Sequence, residues 1–412
     1  MGLQAAGCAF LGLVAVVAVA AAAERPVSPV EGESYPVALD ARLGGDESQT
    51  RFVMDLTRKI ELRAFTLADP YRIVLDIPQV TFQLPPRSGE SGRGLIKAYR
   101  FGLVMPGGSR VVFDLAKPAR IEKAFVVEAA AGAPARLVLD LSVTDRESFV
   151  RHIAADNRIA RAEPPPAGVA QPNDGDPRPL VVIDPGHGGI DNGTKAPSGE
   201  LEKDIVLDFA QRLRERVEKS GKYRVLMTRT DDTFVPLGDR VHIARAAGAA
   251  LFVSIHADWL SHGEGDAQGA TVYTLSDTAS DSEAARLAEK ENRADVIAGV
   301  DLKTEPGDVA DILIDLAQRE TKGFSVQFAH KLVGEMKTAA RMHKNPIKSA
   351  GFRVLRAPDV PSVLIELGYV SNRQDLQSLL SPAWRNHTAD AIAQAVDGYL
   401  ATHLAGARAG AN

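Results

Sequence analysis

The segment Val182–Gly189, VIDPGHGG, tells more about this chain than any other stretch of its sequence. It closes an apolar run that begins at Leu180, which predicts a buried strand, and it puts His187 in a glycine-rich turn directly after that strand. Glycine carries no side chain, so a histidine among glycines can approach a ligand closely. The segment therefore predicts a functional histidine at the end of a strand.

Two later segments have the same form. LFVSIHA places His256 at the end of an apolar run, and SVLIELG places Glu366 inside one, with a glycine just after it. A charged residue in such a run is rarely buried without a partner. Three ionisable groups at the ends of three apolar strands predict one shared site.

From Leu180 onward, strand patterns alternate with helical ones, including a helix from Glu202, long helical sequence over 281–342, then FRVL, and a final helix over 390–400. This alternation predicts an α/β catalytic domain over residues 180–404. We expect a mixed, mostly parallel sheet with helices on both faces and ligands at the carboxyl ends of its strands.

The preceding residues predict a different architecture. Four segments share the pattern Arg-apolar-Val-apolar-Asp-apolar, and they begin at Arg51, Arg72, Arg110 and Arg136. Short strands separated by turns indicate an all-β sandwich over residues 35–145, in which we interpret the Arg and Asp as flanking buried strands. Residues 150–179, rich in proline and small residues, predict a linker.

The bulk numbers limit the possible functions. A chain of 412 residues with 45% hydrophobic residues suits two globular domains, and a net charge of −5 argues against nucleic acid as a partner. Residues 1–23, with an apolar run from Ala5 to Ala23, predict a secretory signal peptide and no membrane anchor after its cleavage. Cleavage would remove Cys8, the only cysteine, so any metal must be held by His, Asp and Glu.

These residue types suit a zinc hydrolase, which needs nitrogen and oxygen ligands, an open position for water and a nearby base. His187, Glu202 and His256 are the candidate ligands, and Glu366 is the candidate base because apolar surroundings raise the pKa of a carboxylate. Simpler interpretations stay open, since Glu202 suits a helix start and His256 suits a hydrogen-bonded core position. The other histidines lack such settings and are interpreted as surface or packing residues: His152, His242, His262, His330, His343, His387 and His403.

The segment 180–404 resembles the zinc-dependent N-acetylmuramoyl-L-alanine amidases of the amidase-3 family, of the cell-division type. The resemblance rests on five strings in order: DPGHGGIDNGT, LEKDIVL, TRTDDTFVPLGDRV, SIHAD and PSVLIELGYVSN. The β-rich segment resembles the AMIN domain, which targets such enzymes to the cell wall. One departure is Asp258, where many relatives have Asn.

The resemblance implies one Zn²⁺ per chain, ligated by His187, Glu202 and His256, with catalysis by Glu366. The bond cut would join N-acetylmuramic acid to the L-alanine of the stem peptide in peptidoglycan, in the periplasm, during daughter-cell separation. Two alternatives stay open: a zinc peptidase that cuts within stem peptides, and a wall-binding protein without activity.

Residues 276–321 form an insertion that predicts a regulatory helix. On a helix, Glu291 falls in the least polar stripe, whereas Glu289 points the opposite way; the stripe contains Ala284, Leu287, Ala288, Glu291, Ala294 and Ala298. Division amidases are similar here, so we hypothesise that Glu291 takes the fourth position on zinc until an activator of the LytM-like class displaces the helix. The simpler alternative is a solvent-facing helix with an incidental Glu.

Overall fold

The structure, a computed structural model, describes residues 35–105, 107–130, 133–151, 175–259, 268–300 and 312–410. The predicted signal peptide, Cys8, His152, His262, most of the predicted linker and residues 301–311 of the insertion lie outside these ranges. Residues Tyr35–Asn412 form one compact unit. In the part of the chain that is described, no helix combines the length and the apolar character needed to cross a membrane.

The N-terminal residues form two β-sheets that face each other across an apolar core. The strands are β1 (Val37–Gly45), β2 (Gln49–Leu56), β3 (Arg63–Leu67), β4 (Arg72–Pro78), β5 (Thr81–Phe82), β6 (Ile96–Met105), β7 (Gly108–Leu115), β8 (Ala119–Val127) and β9 (Ala135–Val143). The first sheet has the order β5-β1-β2-β9-β8 and the second β3-β4-β7-β6. Residues such as Phe52, Leu75 and Phe113 fill the core between them, so the predicted all-β sandwich is confirmed.

The strand register explains the Arg–Asp repeat. In the first sheet Arg51 lies opposite Asp140, and in the second Arg110 lies opposite Asp76, each pair between antiparallel strands. Residues four apart on a strand share a face, so two copies of the pattern exchange ion pairs across the sheet. In the exposed first sheet the Arg and Asp of the repeat flank buried strands, as interpreted from the sequence. In the second sheet this interpretation is incomplete, because the outer face of the sheet is also covered.

The C-terminal residues form the predicted α/β domain. Its strands are β10 (Leu180–Pro185), β11 (Arg224–Met227), β12 (Leu251–His256), β13 (Ala270–Leu275), β14 (Met342–Ala350) and β15 (Ser362–Glu366), in the order β11-β10-β12-β15-β13-β14. Only β13 and β15 pair antiparallel, so the sheet is mixed and mostly parallel, as predicted.

Helices cover both faces of this sheet. They are α1 (Glu202–Glu218), α2 (Leu237–Ala246), α3 (Ser282–Glu291), α4 (Ala294–Ile297), α5 (Ile312–Met336), α6 (Arg373–Leu380) and α7 (Pro382–Gly410). Alternate strand residues point to opposite layers: Ile183 packs in the core that includes α1, α5 and α7, whereas Val182 packs in the core that includes α2 and α3.

One prediction in this domain was wrong. The helical sequence was expected to reach Met342, but helix α5 ends at Met336 and Met342–Ala350 is strand β14. This strand, MHKNPIKSA, is polar and contains proline, which suits its place at the sheet edge and hides its strand character. The FRVL segment contains a short 3-10 helix, Arg353–Leu355.

Candidate metal centre

Three neighbouring strands bring the candidate site residues to one edge of the sheet. His187 lies two residues beyond β10, His256 is the last residue of β12, and Glu366 is the last residue of β15, directly opposite His256 in the parallel register. Glu202 is the first residue of α1, the helix that follows β10. All four side chains are buried.

The two imidazoles and the Glu202 carboxylate meet at one point. Glu202 Oε1 lies 3.0 Å from His187 Nε2 and 3.3 Å from His256 Nδ1. One donor atom from each of the three residues lies within 4.8 Å of the others, a spacing that could hold a single metal ion.

The turn after β10 fixes the His187 ring. His187 itself has a left-handed φ of +58°, which is uncommon for a residue with a Cβ and turns the ring back toward the strand ends. Its Nδ1 lies 2.8 Å from Asp191 Oδ2. If Nδ1 donates its proton to that carboxylate, Nε2 keeps a lone pair for a metal ion.

Backbone amides fix the Glu202 carboxylate. The Thr194 N–H donates to Oε2 at 2.9 Å, and the Ala257 N–H donates to Oε1 at 3.0 Å. Close packing adds a second restraint, because a Cβ on Gly193 would lie 2.7 Å from Glu202 Oε2. A Cβ on Gly186 would lie 2.4 Å from His256 Cε1, so the motif's first glycine makes room for the second histidine.

The buried polar atoms of this cluster fit a cation. Among the described residues, His187 Nε2 and His256 Nδ1 have no hydrogen-bond partner, although both are shielded from solvent. Such atoms are costly to bury unsatisfied. Two imidazole nitrogens and a carboxylate oxygen that face a common point are the donor set that suits zinc.

The electrostatics of the site also favour a positive charge. Burial lowers the pKa of His187, but the nearby carboxylates, Glu202 first, outweigh burial and raise that pKa well above its usual value. Burial raises the pKa of Glu366 well above its usual value, and the charges of Asp258 and Glu202 add to this effect. Glu366 Oε2 accepts a hydrogen bond from the Asp258 N–H at 3.0 Å.

Two buried arginines that sequence reasoning missed organise the loop around His187. Arg240 of α2 donates to the Asp184 carboxylate and to the carbonyls of Pro185 and His187, each at 2.8 Å. Arg229 donates to the Gly186 carbonyl at 2.8 Å. Both lie in the string TRTDDTFVPLGDRV, and arginines beside a predicted helix carry no signal of burial.

Glu291, the last residue of α3, reaches into the same cluster. Its Oε2 lies 3.2 Å from His256 Nδ1 and 3.4 Å from His187 Nε2. All members of the predicted apolar stripe are buried, whereas the Glu289 side chain is 66% exposed. Contrary to expectation, the stripe does not lie on one helix, because α3 ends at Glu291, Ala294 begins α4 and Ala298 follows α4.

Helix α3 packs against this cluster. Lys290, next to Glu291, forms an ion pair with Asp258 and donates to Thr194 Oγ1 at 2.8 Å. The cavity that remains beside the two histidines measures about 10 Å³, which is room for about one water molecule.

A mixed α/β sheet with this donor set at its strand ends, beside a buried glutamate, is an arrangement that suits a metal-dependent hydrolase. Residues 181–398 match the family described as N-acetylmuramoyl-L-alanine amidase, and residues 40–141 match the AMIN domain.

Named relatives agree with the family match. The chain is 33% identical over 399 residues to the N-acetylmuramoyl-L-alanine amidase AmiC of Escherichia coli O6:H1, covering 93% of this chain and 94% of that protein. It is 33% identical over 380 residues to AmiC of Neisseria meningitidis serogroup B, covering 88% and 90%. The solved structure of AmiC2 of Nostoc punctiforme shares 28% identity at a TM-score of 0.39, covering 55% of this chain and 99% of that one.

The chain belongs to the N-acetylmuramoyl-L-alanine amidase family, with an AMIN domain before its catalytic domain. It is an N-acetylmuramoyl-L-alanine amidase that acts on peptidoglycan, and the comparisons favour this activity over the two alternatives left open by the sequence, a stem-peptide peptidase and a wall-binding protein without activity.

Proposed function

We propose that His187, Glu202 and His256 hold one zinc ion and that Glu366 is the catalytic acid and base of the amidase. The observation that carries this proposal is the convergence on one carboxylate oxygen of two imidazole nitrogens that have no hydrogen-bond partner among the described residues. Zinc would supply a positive charge that polarises the amide carbonyl and makes water acidic.

Glu366 is suited to move the proton. Its Oε2 is held by the Asp258 N–H, while Oε1 has no hydrogen-bond partner among the described residues. In the proposed reaction, Glu366 accepts a proton from the attacking water and passes it to the L-alanine nitrogen as the C–N bond breaks. The products are the lactyl carboxylate of N-acetylmuramic acid and a stem peptide with a free amino terminus.

We propose further that α3 inhibits the enzyme and that Glu291 occupies the fourth position on the metal. The position of its Oε2 near both histidines and the small remaining cavity support this interpretation. A glycan strand with its stem peptide cannot enter about 10 Å³, so activity requires that α3 move away. An activator of the LytM-like class would displace it.

The same relatives support a proposal for the cellular role. The AmiC proteins and the AMIN domain support a periplasmic protein, and we propose that it separates daughter cells after export by the predicted signal peptide of residues 1–23. The AMIN domain would bind the wall, and residues 150–179 would link it to the catalytic domain.

Two variants on one helix test the inhibition. Glu291→Ala should release stem peptides from purified cell wall without any activator, because it removes the carboxylate beside the two histidines. Glu289→Ala is the matched control, since its exposed side chain pairs only with the solvent-facing Arg293 among the described residues. An inactive Glu291→Ala protein that binds zinc and becomes active with an activator would contradict inhibition by Glu291.

A further inference from the structure

The outer face of the second sheet of the sandwich holds the segment that follows Glu291. Three arginines donate to consecutive main-chain carbonyls of this segment: Arg72 Nη1 to Val296 at 2.8 Å, Arg100 Nε to Ile297 at 2.5 Å, and Arg110 Nη1 to Ala298 at 3.0 Å. These bonds join residues about half a chain apart in sequence. We call the three arginines, with Val74 and Val112 between them, the arginine face.

Two of the three guanidinium groups are also held by carboxylates of the sandwich. Arg100 makes two hydrogen bonds to the Asp114 carboxylate, and Arg110 makes two to Asp76. Arg72 is 2% exposed. Because the carboxylates hold the planar groups in place, little side-chain freedom is lost when the carbonyls bind.

Apolar packing brings the segment close to the sheet. Gly299 has a φ of +70°, and a Cβ there would lie 3.0 Å from a methyl group of both Val74 and Val112. Ala298 is fully buried, and these residues share one apolar core with Ala284 and Leu287 of α3. The arginine face and helix α3 therefore belong to one packed layer.

We propose that the arginine face is a latch through which the β-sandwich keeps residues 284–300 on the metal centre. This gives the sandwich a regulatory task in addition to binding the wall: it stabilises the closed segment, and opening requires these contacts to break. That the latch also restrains activity rests on the proposed inhibition by Glu291.

The Arg–Asp repeat supplies matched controls on the opposite sheet. Arg51 pairs with Asp140 and Arg136 with Asp55 in the same cross-strand arrangement, with 60% and 47% of their side chains exposed. Asp140 and Asp55 both lie within the sandwich, so substitution there removes a comparable ion pair and leaves the latch intact.

The test uses the full chain with Arg100→Gln and Arg110→Gln, singly and together, against Arg51→Gln and Arg136→Gln. The rate of amide hydrogen exchange in residues 284–300 should rise about tenfold for each latch bond lost, because a hydrogen bond from a charged donor to a buried carbonyl changes the opening equilibrium by about one order of magnitude. In the controls the exchange rate should rise by less than twofold. Activator-free hydrolysis of purified wall should rise in parallel. Unchanged exchange of β4 and β7 amides would show that the sandwich remains folded.

Gly299→Ala provides a second test of the latch if the arginine variants unfold the sandwich. The added methyl group crowds Val74 and Val112, so the segment and the two valines must move apart slightly, while every arginine stays in place. Gly248→Ala is its control, because Gly248 has a similar φ of +62° but no atom within 4 Å of the added methyl group.

Hydrogen exchange tests the latch, and hydrolysis of purified wall tests inhibition by Glu291. Unchanged exchange in the latch variants, together with an active Glu291→Ala protein, would overturn the latch and leave the inhibition standing. Raised exchange without raised hydrolysis would support the latch and contradict inhibition by Glu291.

Discussion

The His187 and His256 rings each turn one nitrogen toward Glu202, and in the part of the chain that is described neither nitrogen has a hydrogen-bond partner. Each ring is held in a different way. His187 is fixed by a hydrogen bond to Asp191, whereas His256 is confined by the backbone of Gly186. Substitution of a residue that orients a metal ligand typically lowers metal affinity about 10- to 100-fold. At the scale of single residues, the glycines and Asp191 are therefore part of the site.

The role of Glu366 can be separated from ligation by one substitution. Glu366→Gln keeps the size of the side chain and its hydrogen bond from Asp258 but removes the acid–base group. We expect wall hydrolysis in a Glu291→Ala background to fall about 100-fold or more, with one zinc ion retained per chain. Loss of zinc along with activity would make Glu366 a ligand, contrary to the proposal.

The space beside His256 gives a second prediction. Gly186→Ala should weaken zinc binding about tenfold or more, because the new methyl group must push the imidazole off its position. Gly238→Ala is the control, since nothing lies within 4 Å of its added methyl group. Competition with a chromophoric chelator measures both affinities, and equal values for the two variants would contradict this account of Gly186.

At the scale of elements, the sequence predicted which strands end beside site residues. It did not predict which side chains hold the adjoining loop in place. Apolar runs that end in His187, His256 and Glu366 indicate buried strands with polar ends, and parallel pairing brings such ends to one edge. The support from Arg240 and Arg229 was not predictable, because it depends on where loops and α2 pack in three dimensions. Strand β14 was missed because its edge position lets it be polar.

The pair Asp184–Arg240 shows how the loop after β10 is stabilised. Burial raises the pKa of Asp184, but Arg240 and the hydroxyl donors Ser254 and Thr228 outweigh burial, so the pKa of the folded state lies below its usual value. The stabilising effect is therefore complete above the unfolded pKa of about 4 and is lost as the pH falls through the lower folded pKa.

Asp184→Asn should lower the free energy of unfolding at pH 7 by about 3 to 5 kcal/mol, because it leaves a buried guanidinium without its carboxylate. The difference in the free energy of unfolding between this variant and the natural protein should become smaller below about pH 4. Urea unfolding at several pH values measures it. Asp359→Asn, which breaks the exposed pair with Arg245, should have little effect; a comparable loss in both variants would contradict the importance of burial.

At the scale of the whole molecule, the sequence predicted the two domains but not the contacts between them. A change from short strands to alternating strands and helices is a local pattern that predicts two folds. The Arg–Asp repeat predicted strands as well, yet nothing in it distinguishes Arg110, which meets the inserted segment, from the exposed Arg51. Contacts between residues so far apart depend on how the domains pack.

The central claim, that three side chains converge on one metal ion beside Glu366, has a direct test. Crystals of the full chain grown with zinc should show an anomalous peak at the zinc edge about 2.0 to 2.2 Å from His187 Nε2, His256 Nδ1 and a Glu202 oxygen, with Glu291 as the fourth ligand. No peak at this point, or a peak bound by other side chains while these three point apart, would contradict the account.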